Sequence, residues 1–110
     1  MKKVFLSLPM HGRKDDEVLD ELIDMQDYLE KKVFKDEDFE IVHNMLSEPE
    51  LGLFDCLDDV KHKRLLYLGA AITKLSQCDY ALFSPGWKGA NGCQIEYMVC
   101  RAYGIKTIMM

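Results

Sequence analysis

The stretch between Tyr80 and Tyr103 limits what this chain can fold into more than any other part. It begins with Tyr80–Phe83, a short apolar run that is typical of a buried strand. A glycine-rich turn follows, SPGWKGANG, and a strand that passes through such a turn into a helix favours a parallel sheet. The helix is predicted over residues 94–103, with an apolar stripe of Ile95, Met98, Val99 and Ala102.

Apolar runs elsewhere in the chain extend this pattern to four strands. Residues 3–8 predict a first strand that Pro9 ends, residues 39–43 predict a second, and residues 105–109 after Gly104 predict a fourth. Helical spacing separates the first strand from the second, and the second from the third. The apolar positions are Val18, Leu19, Leu22, Ile23, Leu29 and Val33 in the first helix, and Val60, Leu66, Ala70, Ala71 and Leu75 in a helix over about residues 57–76.

This alternation predicts an α/β fold of the Rossmann-like or flavodoxin-like class, a three-layer sandwich with a short parallel sheet and strand order 2-1-3-4. The length of 110 residues predicts one domain over residues 1–110. In such sheets a ligand binds beyond the carboxyl ends of the strands, where the strand order reverses, here between strands 1 and 3. The candidate substrate-binding residues at that edge are Ser7, Pro9, His11, Gly12, Arg13, His43, Asn44, Gly86, Trp87, Asn91 and Gly92.

Glu96 is the candidate catalytic residue. It lies just inside the helix that follows the glycine-rich turn, where the positive end of the helix dipole favours the ionised form that a nucleophile needs. Gly92, one turn earlier, is expected to leave room for a ligand beside the carboxylate. The alternative is that the turn is ordinary loop chemistry and that Glu96 is a first-turn acid of the kind many helices carry.

Composition excludes several classes of function. Fourteen basic and nineteen acidic residues give a net charge of −5 without a basic cluster, so a nucleic acid polymer is not expected as a partner. No apolar run approaches the roughly 18 residues of a membrane helix and no signal peptide is recognised, so a cytoplasmic protein without a membrane partner is expected. The four cysteines are scattered without a C-x-x-C pair, which predicts reduced thiols and no metal site.

Four short segments near the two ends of the chain carry a family resemblance. They are VFLSLPMHG at residues 4–12, CDYALFSPGW at 78–87, GCQIE at 92–96 and RAYGI at 101–105. Together they resemble the nucleoside 2-deoxyribosyltransferase superfamily, nearest to the small phage and bacterial domains of the DUF4406 group and more distantly to the 2′-deoxynucleoside 5′-phosphate N-hydrolases. Residues 45–65 match poorly.

The resemblance implies a reaction and a substrate class. In those enzymes the glutamate at the position of Glu96 attacks the anomeric carbon of a 2-deoxyribose and displaces the base, and water or a second base then resolves the glycosyl-enzyme. The expectation is therefore an enzyme that cleaves or transfers at the N-glycosidic bond of a (deoxy)nucleoside or its 5′-monophosphate, without a cofactor. On this interpretation His11 and His43 are candidate proton donors, Arg13 a partner for a 5′-phosphate, and Trp87 a platform for a base.

The chain departs from the family pattern at four positions. The second carboxylate of the family corresponds to Ala71, and Asp79 is expected to be a structural turn residue because it lies at the opposite end of its strand. Phe5 stands where a tyrosine is frequent, and Leu8 and Ala90 replace a glycine and a serine.

These departures keep other interpretations open. The first alternative is a nucleotide-binding module that keeps the fold without the chemistry, and the second is a domain used for protein interaction. The phosphoribohydrolases, with a Pro-Gly-Gly…Gly-Thr…Glu loop, are a further enzyme relative to consider, but this chain lacks the threonine. A homo-oligomer is expected, since the fourth strand leaves a sheet edge that a second copy would cover.

Overall fold

The computed structural model describes residues 1–43 and 61–110, and these form a parallel sheet of four strands. The strands are β1 (Lys2–Ser7), β2 (Phe39–His43), β3 (Tyr80–Phe83) and β4 (Lys106–Met109). Their order in the sheet is β2-β1-β3-β4, and all three neighbouring pairs are parallel. The predicted fold class and strand order are therefore confirmed.

Three helices of the described residues join these strands. They are α1 (Asp15–Tyr28), which continues into a π-helical turn at Leu29–Val33, α2 (Lys63–Leu75) and α3 (Asn91–Tyr103). Gly104 ends α3 in the left-handed conformation that glycine adopts at no steric cost, as predicted. None of the helices in the described ranges has the length and apolar character that crossing a membrane requires.

Several boundaries differ from the predicted ones. β2 and β3 begin and end at the predicted residues, whereas α3 begins three residues early because Asn91, Gly92 and Cys93 already have helical geometry. Val60 and the start of its predicted helix lie outside the described residues, as does Asn44.

The sheet has an apolar core on each face because side chains alternate along its strands. Val4 and Leu6 of β1 face α1, whereas Phe5 faces α2 and α3 together with Phe83 of β3. Phe5 and Phe83 are fully buried, and each stabilises the fold by about 2 to 3 kcal/mol through the area it removes from water.

The buried faces of two helices differ from the predicted stripes. In α1, Leu19 is 57% exposed and Ile23 is 51% exposed, while Met25 is fully buried. In α3, Met98 is 69% exposed and Ile95 and Ala102 also face outward. The fully buried residues of α3 are Cys93, Glu96 and Cys100, spaced by three and four positions as one helical face requires. Of the predicted stripe, Val99 packs partly buried against the same core.

Candidate active site

Glu96 is the central residue of the site, and it is buried. Only 1% of its surface is exposed, and its Oε1 accepts a hydrogen bond of 2.7 Å from Oγ of Ser7. Ser7 is the last residue of β1, and strand alternation turns its side chain toward the same face as Phe5. The structure therefore joins two of the predicted site residues at the point where the strand order reverses.

The ionisation of Glu96 differs from the expectation based on the helix dipole. Burial raises the pKa of the Glu96 carboxyl to about 7, and the hydrogen bond from Ser7 acts in the opposite direction. Because α3 begins at Asn91, Glu96 lies in the second turn, beyond the first turn in which the dipole acts strongly. Desolvation is the larger effect, so the protonated form of the Glu96 carboxyl is favoured more than in an exposed glutamate.

Cys93 extends this pair into a buried group of three side chains, which we call the Ser7 cluster (Ser7, Cys93 and Glu96). Burial raises the pKa of the Cys93 thiol to about 11, a hydrogen bond with Ser7 opposes the shift, and the charges of Glu96 and Glu21 add to it. The thiol is thus protonated at neutral pH and is not a nucleophile. The sequence signal for Cys93 was its position one helical turn before Glu96.

Ser84 is a second buried hydroxyl at this edge, and the sequence analysis did not select it. Its backbone N–H donates to the carbonyl oxygen of Ser7 at 3.0 Å, which extends the β1–β3 pairing by one residue. Its Oγ is buried without a hydrogen-bond partner among the described residues. Since Phe83 faces α3, alternation places the side chain of Ser84 toward α1. A polar residue directly after a buried strand was the available signal.

The glycine-rich loop binds largely to itself. Gly86 lies against the loop after β1, since a Cβ at Gly86 would be 3.5 Å from Cγ of Pro9. A 3₁₀ turn at Trp87–Gly89 leads into α3, whose N-cap residue, Ala90, makes no side-chain cap. Three N–H groups of the loop donate to carbonyls of the same loop, namely Trp87 to Ser84, Gly89 to Gly86 and Ala90 to Trp87, and Gln94 of α3 donates to Ala90.

Gly92 does not provide the space that the sequence analysis expected. A Cβ at Gly92 would lie 3.8 Å from Cδ1 of Leu68, an ordinary contact with α2. The residue therefore packs against a neighbouring helix, and the lack of a side chain at this position is not what makes room beside Glu96. Asn91, the residue before it, is exposed.

Arg13 is held by contacts within the protein. Its Nη1 donates to the carbonyl oxygen of Pro9 at 2.9 Å, and its Nη2 lies 3.0 Å from Oε2 of Glu21 on α1. Both side chains of the pair are 26% exposed, and the second oxygen of Glu21 is buried without a hydrogen-bond partner among the described residues. Glu21 was not selected from the sequence, since its spacing of eight residues from Arg13 fits no local motif.

The remaining predicted residues occupy varied positions. His11 and Gly12 are exposed in the loop after β1, and Gly12 has a φ of +75°, which favours glycine. The ring of Trp87 packs 4.7 Å from that of Tyr97 and 5.6 Å from that of Phe83. The backbone of His43 ends β2 beside Leu6, and Asn44 lies outside the described residues.

Ala71 and Asp79, the two positions considered for the second carboxylate of the resembled family, both have a role in the fold. Ala71 is buried in the apolar core against Phe5 and Leu75. Asp79 accepts a hydrogen bond of 2.9 Å from the N–H of Lys3 and donates its own N–H to the carbonyl of Lys3, at the amino end of the sheet. The prediction that Asp79 is a structural turn residue is therefore confirmed.

Comparison with protein-family models, curated proteins and solved structures gave no match. The family resemblance therefore depends on the four quoted segments alone.

That geometry separates the two ends of the sheet. Two surface concavities of about 720 and 600 Å³ lie away from Glu96, one beside the end of α1 and the start of β2, the other at the amino ends of β3 and β4. Both are open, and about half of the residues that line them are charged. In contrast, the buried polar residues of the described ranges, Ser7, Ser84 and Glu96, all lie at the carboxyl edge. Burying polar groups costs folding free energy, and buried titratable groups cluster at functional sites, so we take this edge as the candidate site.

Proposed function

We propose that this protein cleaves or transfers at the N-glycosidic bond of a (deoxy)nucleoside or its 5′-monophosphate, with Glu96 as the nucleophile. The observation that carries the proposal is the buried Glu96 carboxyl, hydrogen-bonded by Ser7 at the reversal point of a parallel sheet. Carboxylates with a raised pKa at such an edge are typical of catalytic sites. The described residues contain no group of His, Cys, Asp and Glu that would hold a metal ion, and no step of the proposal uses one.

The hydrogen bond of Ser7 assigns separate roles to the two carboxylate oxygens. Oε1 is held by Ser7, so Oε2 is the oxygen that attacks the anomeric carbon. As the new C–O bond forms, the bond from that carbon to the base breaks and its electron pair leaves with the base, which takes a proton from water or from His11 in the exposed loop. Water then attacks the same carbon and loses a proton to solvent, while the C–O bond to Glu96 breaks with its electron pair on the carboxylate, which releases the sugar. In a transfer reaction a second base replaces the water.

The burial of Glu96 sets two conditions for this reaction. A substrate contacts Oε2 only after the side chains that cover the carboxyl move aside, because 1% exposure leaves no room for a sugar. The nucleophile must also be ionised, so the rate rises with pH as the carboxyl of pKa about 7 loses its proton.

A binding module without chemistry is the second candidate, and Ala71 favours it. A second carboxylate assists departure of the base in two-carboxylate mechanisms, and this chain has an apolar core at the corresponding position. A module of this kind would bind nucleosides at the same edge and release no base.

The test is a chromatographic assay for free base with a panel of deoxynucleosides, ribonucleosides and their 5′-monophosphates. Glu96→Gln keeps the shape of the side chain and an oxygen that accepts from Ser7, and we expect it to lower base release by about 10³-fold or more. Glu40→Gln is the matched control, since Glu40 is exposed on β2 near the amino edge.

Each outcome of this assay assigns a function. Base release by the wild type and by Glu40→Gln, but not by Glu96→Gln, supports the proposed enzyme. Equal release by all three proteins would show that Glu96 is not the nucleophile. No release from any substrate, with a rise in melting temperature on adding nucleosides, would assign the binding module.

A further inference from the structure

We infer that the Arg13–Glu21 pair makes this site select a neutral, hydroxyl-bearing sugar over a sugar 5′-phosphate. The inference rests on the proposed function and narrows it, because it names the unphosphorylated nucleoside as the substrate class. It reverses the role expected for Arg13, which the sequence analysis assigned to a phosphate.

Both terminal nitrogens of Arg13 already bind groups of the protein. Nη1 donates to the carbonyl of Pro9 at 2.9 Å, and Nη2 lies 3.0 Å from Oε2 of Glu21. An arginine binds phosphate best when both of these nitrogens face the anion together. A phosphate would have to displace Glu21, and it would leave the Glu21 carboxylate partly buried without its cation, which is costly.

Buried oxygen atoms at this edge also bear on the choice of ligand. Oε1 of Glu21 and Oγ of Ser84 are buried and have no hydrogen-bond partner among the described residues. An ionised carboxylate only accepts hydrogen bonds, so a ligand group that pairs with Oε1 has to be a donor. A sugar hydroxyl donates and also accepts, whereas a phosphate dianion has no proton to give and is repelled by the carboxylate.

Glu21 lies on the α1 side of the edge at which we place the proposed nucleophile. Glu21 lies on α1, the side to which strand alternation directs Ser84, and Arg13 ties it to Pro9, two residues after Ser7. The charge of Glu21 also acts on the thiol of Cys93 in the Ser7 cluster. Glu21 therefore acts electrostatically on a member of the Ser7 cluster, and we place it on the α1 side of the same carboxyl edge.

Few neighbouring groups replace Arg13 as a partner for a phosphate. Three N–H groups of the glycine-rich loop, those of Trp87, Gly89 and Ala90, donate to carbonyls of that loop, so these three are not available to an anion. Lys88 is exposed, and its ammonium lies 5.9 Å from the centre of the Trp87 ring. The first turn of α1, which follows the β1 loop, carries three acidic residues, Asp15, Asp16 and Glu17.

The experiment compares kcat/KM for deoxynucleosides with kcat/KM for their 5′-monophosphates. We expect the wild type to prefer the nucleosides by about tenfold or more. Glu21→Gln frees Arg13 from its counter-charge and should shift this ratio about tenfold toward the monophosphates. Asp20→Asn makes the same change in charge at an exposed position of α1 and should leave the ratio unchanged.

A second measurement does not depend on turnover. Inorganic phosphate at millimolar concentration is the probe, and the melting temperature is the readout. We expect phosphate to raise the melting temperature of Glu21→Gln above that of its phosphate-free sample, and to leave the wild type and Asp20→Asn unchanged.

The outcomes separate this inference from the proposed function. A wild type that prefers monophosphates overturns the inference, whether or not Glu21→Gln folds, and so does an unchanged ratio in Glu21→Gln. In both cases base release through Glu96 would still stand. If no substrate releases base, the proposed reaction fails, and the melting temperature decides the inference alone. A rise with phosphate in Glu21→Gln only would support the inference that Glu21 keeps Arg13 from binding phosphate. The absence of that rise would overturn the inference as well.

Discussion

Ser7 and Glu96, 89 positions apart in the chain, share a hydrogen bond of 2.7 Å between two fully buried side chains. The hydroxyl is the group that moderates the effect of burial on the Glu96 carboxyl, since it stabilises the ionised form. Oγ of Ser7 therefore influences the ionisation of the Glu96 carboxyl, its orientation, and the free energy that its burial costs the fold.

Ser7→Ala tests this influence. Without the hydroxyl, the pKa of Glu96 should rise further, so the pH at which base release reaches half its maximum should move upward. The loss of a hydrogen bond to a buried, partly charged group should also lower the free energy of unfolding by about 1 to 3 kcal/mol. The measurements are a pH profile of base release and urea unfolding, with Ser76→Ala at an exposed serine as the control. An unchanged profile would show that Ser7 does not set the ionisation of Glu96.

Glu96 should also make the fold less stable as pH rises. The pKa of the Glu96 carboxyl is about 7 in the folded protein against 4.5 for an unperturbed glutamate side chain, so between these values the native state binds more protons than the unfolded state. The stabilisation from the protonated acid is complete below pH 4.5 and decreases up to pH 7, by about 3 kcal/mol in total. Glu96→Gln removes this contribution, so urea unfolding should show the variant more stable than the wild type at pH 8 and similar to it near pH 4.5. Parallel pH dependences of the two proteins would contradict the raised pKa.

Ala71→Asp restores a carboxylate at the position where the resembled family has one. Because Ala71 is buried among apolar side chains, an ionised group there has no partner, and we expect the free energy of unfolding to fall by about 3 kcal/mol or more. Thr73→Asp, at an exposed position of the same helix, should cost less than about 1 kcal/mol. A stable Ala71→Asp protein with faster base release would instead mean that the site extends to α2.

Gly12→Ala tests the conformation of the loop after β1. Gly12 has a φ of +75° with open space around it, so an added methyl group is opposed by backbone strain and not by a clash, at a cost of about 1 kcal/mol. Gly104→Ala, with the same φ at the end of α3, should lose a similar amount in thermal or urea unfolding. Gly89→Ala is the control, because Gly89 also has open space but no positive φ. Equal stability of all three variants would contradict this assignment.

The strands and their order were predictable because each is a short apolar run between turn residues, as Tyr80–Phe83 is between Asp79 and Ser84. The rotation of α3 was not predictable from hydrophobicity. Ile95 and Met98 are more apolar than Cys93 and Cys100, yet packing against the sheet buries the two cysteines. That rotation brings Glu96 to Ser7. The rule that ligands bind beyond the carboxyl ends of parallel strands placed both residues at one edge but did not predict their contact.

The Arg13–Glu21 pair and the unpartnered Ser84 hydroxyl were missed for a related reason. The pair depends on the path of the loop through Gly12 and on the direction in which α1 leaves it, and neither is a property of local spacing. Ser84 lacks a partner only because of what surrounds it in three dimensions, which no single residue type reveals.

The pairing of β1 with β3 is closed at both ends. Lys3 and Asp79 exchange hydrogen bonds at the amino end, and Ser84 donates to Ser7 at the carboxyl end. The amide hydrogens between these closures should exchange with solvent deuterium more slowly than those of the flanking loops, and only through opening of the whole domain. The hydroxyl that orients Glu96 is thus expected to lie on the part of the described chain that opens least often.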